Sequence, residues 1–532
     1  MSDRRLLVIG LDAFDSDVAE TLMRQGRMPA LAALQKAALR FDLDHGIEKY
    51  TGLAWEQFST GKAPQTVDRW SACVFDAERY AIDQPTTRLP PFALALDRST
   101  VVFDTPYFDL ARAPKIRGMV SWGSHDPGVA VCSNPVGLSG EITDRFGPYP
   151  AQDYIYGHVW PDRDRTAAMS RAIVSAVDAR SDVTVWLFRD RVPQWDLAIT
   201  VLSEFHSATE ALWHGWDETH PLNRLPSAAP ARDGLIRVYE AADRMIGRMR
   251  ATFPDVRILA FSAHGMARNI SDTTAMILIP ELLYRHYIGE PGLQAPADWL
   301  LDGSIGDKGA DFEDWGAAVK QHLHIRTSRR GVRGVVDAWR DFRKPLPPYD
   351  SGVVDWMPAA SYRTAWPSMK AFAVPAYYDA RIRINLKGRE SRGMVRPRNY
   401  DSVLDEVEAL IRACHDPRTG MPINVTFEPR PGDPVNRHAS DADLIVRFAN
   451  DHYALDHPRL GRIGPVPCRR TGGHSGGLGV GYLTGQGAPG SIGRFPTLEV
   501  SALVRDLMGD TTAEGALVDA VREKDRRARI GA

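Results

Sequence analysis

Leu6-Leu7-Val8-Ile9-Gly10-Leu11-Asp12 decides the fold class. An uninterrupted apolar run without polar alternation is the pattern of a strand buried on both faces, as parallel strands are. It stops at a carboxylate and gives way to a helical pattern over 18–38. Pro29 splits that pattern into two helices, because proline lacks the amide hydrogen that an interior turn needs. Short apolar runs recur at 100–103, 118–121, 183–188, 197–202, 256–262, 382–386, 444–448 and 478–483. Helical patterns fall between them at 165–177, 233–252, 402–414 and 500–507. This alternation predicts an α/β fold with a central, mainly parallel sheet flanked by helices.

The rest of the composition narrows the class of protein. The chain has 532 residues, with 65 Lys+Arg against 67 Asp+Glu and a net charge of −2. A balance so close to zero offers no basic field for nucleic acid and no acidic tail. Cys73, Cys132, Cys414 and Cys468 are far apart and form no C-x-x-C pair, so neither a zinc ribbon nor a disulfide framework is expected. No stretch reaches the ~18 consecutive apolar residues of a membrane span. The first apolar run is also too short for a signal segment, which makes a cytoplasmic protein the expectation. Two stretches, about 65–160 and 290–370, are rich in Pro, Gly and aromatic or charged residues with weak periodicity, and read as insertions or caps. The 514–529 stretch reads as a charged surface helix. The sequence leaves the oligomeric state open.

In open α/β sheets, ligands gather beyond the carboxyl ends of the strands. Asp12 follows the first apolar run directly, and His264 follows the 256–262 run. His206 and Glu210 follow the 197–202 run, and His474 lies in Gly472-Gly473-His474-Ser475-Gly476-Gly477, just ahead of another. His206 and Glu210 are four residues apart, so a helix would project them from one face. Imidazole and carboxylate in that arrangement suit two ligands of one divalent metal, and equally an ordinary polar helix face. Thr51 precedes a short helical stretch and reads as the residue that opens it, where its hydroxyl is either a cap or the neighbour of an anionic ligand. Lys62, on the same stretch, and His125, in the polar and aromatic turn 122–127, are candidate substrate contacts.

These residues resemble the alkaline phosphatase superfamily, in its type I phosphodiesterase/nucleotide pyrophosphatase-like branch. Asp12 matches the first metal-binding aspartate, and Thr51 matches the nucleophile, nine residues before Thr60-Gly61. The segment Ser203-Glu204-Phe205-His206, with Glu210, resembles the stretch carrying two metal ligands four residues apart. Ser262-Ala263-His264-Gly265-Met266 resembles S-D-H-G-M, and His474 matches the last metal-binding histidine. Asn385-Leu386-Lys387-Gly388-Arg389-Glu390 resembles an N-x-x-G-R-E segment of that branch. The matches keep the family's order over about residues 5–490.

The resemblance implies two divalent cations, zinc or alternatively manganese, one held by Asp12, Thr51 and His264 and the other by His206, Glu210 and His474. It implies hydrolysis of a small phosphorylated substrate through a phosphothreonine, with diesters or pyrophosphates favoured over monoesters. Three departures stand out: Ala263 replaces an aspartate ligand, His206 and Glu210 replace an Asp/His pair, and no His-Gly pair follows Pro64. A lost carboxylate weakens one metal site unless another, such as Glu204, substitutes. The alternatives are a phospho-group transferase or sulfatase-like enzyme of the superfamily, or a non-catalytic binding protein with one degraded metal site. Because the matching residues run from Asp12 to His474 and must converge, residues 1–532 are expected to form one large catalytic α/β domain.

Overall fold

The computed structural model describes residues 5–46, 51–87, 89–124, 129–155, 162–306, 314–328, 339, 354–485 and 489–531. Its centre is a nine-stranded sheet. In spatial order the strands are Gly490–Pro496, Leu39–Asp44, Leu478–Leu483, Arg257–His264, Leu6–Leu11, Leu197–Leu202, Thr100–Phe103, Arg117–Val120 and Cys132–Asn134. Only the Leu478–Leu483 and Cys132–Asn134 strands run against the others. The opening strand lies between two parallel neighbours, with Leu11 opposite Leu202 and Leu6 opposite both Leu197 and Arg257.

Its side chains explain that central place. Leu7, Ile9 and Leu11 enter the apolar cluster on one face of the sheet, while Leu6 and Val8 enter the cluster on the other. Helices Ser16–Arg24, Arg163–Val185, Glu204–Trp216 and Ala228–Thr252 cover the first face. Helices Ala54–Thr60, Glu499–Leu507 and Ala516–Gly531 cover the second. In the last of these, Leu517, Val518 and Val521 are buried, so the charge run is its solvent side. Pro29 opens the Pro29–Ala37 helix at a position where its missing amide hydrogen costs nothing.

Between His264 and His474 the chain builds a second, four-stranded antiparallel sheet, ordered Ala371–Val374, Ala380–Ile384, Leu444–Phe448, Val425–Pro429. It has its own apolar cluster, to which Trp299, Trp315, Met357 and Trp366 of the 290–370 stretch contribute. The Asn385–Glu390 segment works as a brace for this sheet. Arg389 spans Glu390 and Asp443, and Asn385 accepts the Tyr80 hydroxyl.

The apolar runs at 100–103 and 118–121 are strands of the central sheet, and Cys132–Asn134 adds a third from the 65–160 stretch. One expectation changes. The apolar run at 183–188 is the end of the Arg163–Val185 helix and the π turn Trp186–Arg191. A short apolar run reports burial, which a helix lying on a sheet satisfies as well as a strand. The four cysteines are unpaired. No described helix is long and apolar enough to cross a membrane.

Candidate metal centre

The strand ends bring the candidates together at the carboxyl edge of the central sheet. Asp12 leaves the Leu6–Leu11 strand, the Glu204–Trp216 helix begins two residues beyond Leu202, and His264 is the last residue of its strand. His474 reaches the same point because Gly472 and Gly473 pair with Arg268 and Ala267 and pack tightly on the helix. A Cβ at Gly472 would lie 2.2 Å from the Thr209 carbonyl oxygen, so only glycine allows the approach. The amide of Thr471 donates to the Glu210 carbonyl at 2.7 Å, locking the loop to the helix. All of these site residues are 8% exposed or less.

Their hydrogen bonds form one directed chain. A carbonyl oxygen only accepts, so His264 Nδ1 donates to the Gly265 oxygen at 3.1 Å. His264 Nε2 then accepts from His474 Nδ1 at 2.9 Å, which turns the lone pair of His474 Nε2 toward His206 Nε2, 3.2 Å away. His206 Nε2 is also 3.0 Å from Glu210 Oε1, and His206 Nδ1 is 3.1 Å from Asp12 Oδ2. Each nitrogen of His206 thus faces a carboxylate. Burial works against a charged ring, but Glu210 and Asp12 outweigh it and lift the imidazole to about 10; a cation bound at Nε2 would take the place of the proton there. Burial likewise pushes the carboxyls up, yet Asp12 is drawn below its ordinary value by His206 and Trp55, and Glu210 by Arg470 and His206.

One ligand atom each from His206, Glu210 and His474 lie within 4.8 Å of one another. Two imidazoles and a carboxylate are a zinc-type donor set. Glu210 Oε2 is buried and makes no hydrogen bond among the described residues, which leaves a carboxylate lone pair for a cation. The residues therefore fit a divalent metal. Asp12 and His264 border this cluster, each bonded to one of its histidines. Ala263 offers only its backbone there, its carbonyl accepting the Thr497 hydroxyl at 2.7 Å.

Thr51 is 6% exposed, and residues near it in sequence connect to the site. Trp55, four residues on, donates its indole N–H to Asp12 Oδ1 at 2.8 Å. Gly52 packs beside Tyr377, and the ring of Tyr378 lies 4.1 Å from that of His474. Thr51 does not open the following helix. That helix is Ala54–Thr60 with Leu53 at its N-cap, because Gly52 at φ +70° turns the chain first.

Other candidates fall elsewhere. Glu204 is no substitute ligand: it is fully buried and ion-paired with Arg180 at 2.8 Å, which also holds Asp104. Asp104 in turn accepts the amides of Trp122 and Gly123. His214 lies beyond the cluster, its Nε2 3.1 Å from the Ser227 hydroxyl. Lys62 is exposed, two residues beyond the Ala54–Thr60 helix, and His125 lies outside the described residues. Trp55, Tyr378 and Arg470, whose guanidinium closes on Glu210 Oε1, went unmarked in the sequence. Of the three, only Arg470 had a signal, being four residues before His474.

No protein-family model matches the chain, and no curated protein matches it. Among solved structures it is similar to phosphonoacetate hydrolase from Sinorhizobium meliloti 1021 in complex with phosphonoformate, at 12% identity over 90% of each chain with a TM-score of 0.45. It is also similar to human ectonucleotide pyrophosphatase/phosphodiesterase 5, at 11% identity over 98% of this chain and 99% of that one with a TM-score of 0.46. The murine counterpart gives 10% identity, the same coverage and a TM-score of 0.45.

Proposed function

We propose that this chain is a metal-dependent hydrolase of small phosphate esters in which Thr51 is the nucleophile, with diesters or pyrophosphates preferred over monoesters. The proposal rests on the buried His206–Glu210–His474 cluster at the carboxyl edge of the sheet. The alkaline phosphatase-like order of motifs from Asp12 to His474 supports it. His206, Glu210 and His474 would hold one cation, zinc by donor type, while a second, with Asp12, Thr51 and His264, lacks a carboxylate at Ala263. A bound cation supplies Lewis-acid stabilisation of charge on the phosphoryl oxygens.

The chain's own residues account for the rest. Thr51 Oγ1 attacks phosphorus and displaces one ester alcohol, which takes up the hydroxyl proton, and water then cleaves the resulting phosphothreonine diester, releasing a phosphate monoester and restoring the hydroxyl. Asp12 fixes His206 through Nδ1, and His264 fixes His474 through Nδ1, so that both Nε2 atoms face Glu210 or each other. Burial limits bulk water around these groups and strengthens their electrostatic effect.

Metal analysis combined with an ester panel tests the proposal. Purified protein should contain zinc or manganese and turn over bis(p-nitrophenyl) phosphate faster than p-nitrophenyl phosphate, with little activity on p-nitrophenyl sulfate. Thr51→Ala should lower turnover by at least ~1,000-fold while metal content stays the same. A metal-free protein with no turnover on added metal would instead favour a binding protein, and full activity in Thr51→Ala would remove the nucleophile.

A further inference from the structure

A cleft of about 600 Å³ opens beside the metal centre, lined from the carboxyl ends of the Leu39–Asp44 and Gly490–Pro496 strands and from the Ala54–Thr60 helix. Small-molecule sites span roughly 300–1,000 Å³, so a compact organic group fits it. The cleft adjoins the centre at two places. His45 packs edge-on against His264 with ring centroids 6.2 Å apart, and Thr497 is the residue bonded to the Ala263 carbonyl. It therefore lies against the position where the chain carries alanine in place of an expected carboxylate.

The chemistry of the walls is specific. Phe495, Pro496 and Leu498 give apolar surface, and Arg494 is already ion-paired with Asp44. Gln57 is 5% exposed, and its amide nitrogen makes no hydrogen bond among the described residues. A buried donor left unmade costs about 1–3 kcal/mol, and a ligand acceptor in the cleft removes that cost. A second phosphate would find the arginine neutralised and a carboxylate beside it.

We propose that this cleft is the subsite for the alcohol portion of the substrate, that it selects a neutral hydroxyl- or carbonyl-bearing organic group, and that Gln57 is its specificity-determining hydrogen-bond donor. The assignment of the occupant as an ester's alcohol rests on the phosphoryl-hydrolase proposal; the binding chemistry of the cleft does not.

Saturation-transfer NMR on the zinc-loaded protein tests it with phosphorus-free probes, methyl α-glucoside and methyl N-acetyl-α-glucosaminide. Transfer to the ring protons of at least one probe is expected. It should fall at least fivefold in Gln57→Leu, which keeps the side-chain bulk, and in Leu498→Trp, which fills the cleft, with metal content unchanged in both. Absence of transfer to either probe in the wild type, or transfer undiminished in both variants, overturns the subsite. Turnover of bis(p-nitrophenyl) phosphate reads the other proposal separately. Normal saturation transfer without turnover would sink the hydrolase and leave a neutral-ligand site, whereas turnover without transfer would do the reverse.

Discussion

Asp12 Oδ2 lies 3.1 Å from His206 Nδ1, and the two residues stand just beyond the ends of adjacent parallel strands paired Leu11 to Leu202. A carboxylate on one imidazole nitrogen fixes the ring and directs the other nitrogen, here toward Glu210 and His474. Asp12→Asn keeps the shape and removes the charge. Zinc affinity is then expected to fall about 10–100-fold, as for other partners of metal-bound histidines. Competition against a chromogenic chelator measures it, and an unchanged affinity would show that Asp12 does not orient His206.

How much of this was legible in the sequence depended on how local the physics is. The Leu6–Leu11 and Leu197–Leu202 strands were readable because both faces of each are buried. His206 and Glu210 were readable because one helix turn sets their common face. The Arg470–Glu210 pair joins residues 260 positions apart, and Tyr378 meets His474 from another sheet's loop, so no periodicity announces either. The Cys132–Asn134 edge strand was not legible because it is only three residues long and half-buried, with no apolar run to mark it. Arg180 was equally invisible: its ion pairs with Asp104 and Glu204 are satisfied only once a helix is laid across the sheet.

Gly10 lets the Ala54–Thr60 helix pack against the first strand. A Cβ there would sit 2.4 Å from Trp55 Cη2, within the ring that donates to Asp12. Gly10→Ala must displace the indole, and such overpacking costs about 1–3 kcal/mol. Thermal unfolding should show that loss. Zinc affinity should drop alongside it, because Asp12 loses its indole partner; a stability loss with unaltered affinity would mean that Trp55 serves packing alone.

Asp443 holds the second sheet together. Its carboxylate accepts from Arg389, from Arg437 Nε at 3.0 Å, from the Tyr400 hydroxyl at 3.0 Å and from the Ile384 amide at 2.6 Å. Removing it leaves two buried guanidinium groups short of a counter-charge. Asp443→Ala is expected to cost about 3–5 kcal/mol, read by urea unfolding, with Asp443→Asn milder because it retains an acceptor. A loss under 1 kcal/mol would place this network in the class of weak surface pairs.

His220 makes the fold sensitive to acid. It is 3% exposed, and its Nδ1 accepts the Leu222 amide at 3.0 Å, capping the Pro221–Arg224 turn in a way only the unprotonated nitrogen can. Burial, with Arg268 adding to it, lowers its pKa from 6.5 to about 3. Above 6.5 the folded and unfolded chains are both neutral at this residue, so its contribution is fully present. As pH falls, the unfolded chain takes up a proton that the folded one refuses, and stability is lost at about 1.4 kcal/mol per pH unit down to about 3. His220→Asn keeps a capping acceptor and removes the titration. Wild-type stability measured by urea unfolding between pH 6 and 4 should therefore fall more steeply than that of His220→Asn, by about that slope. Parallel profiles would show that His220 takes up its proton without unfolding.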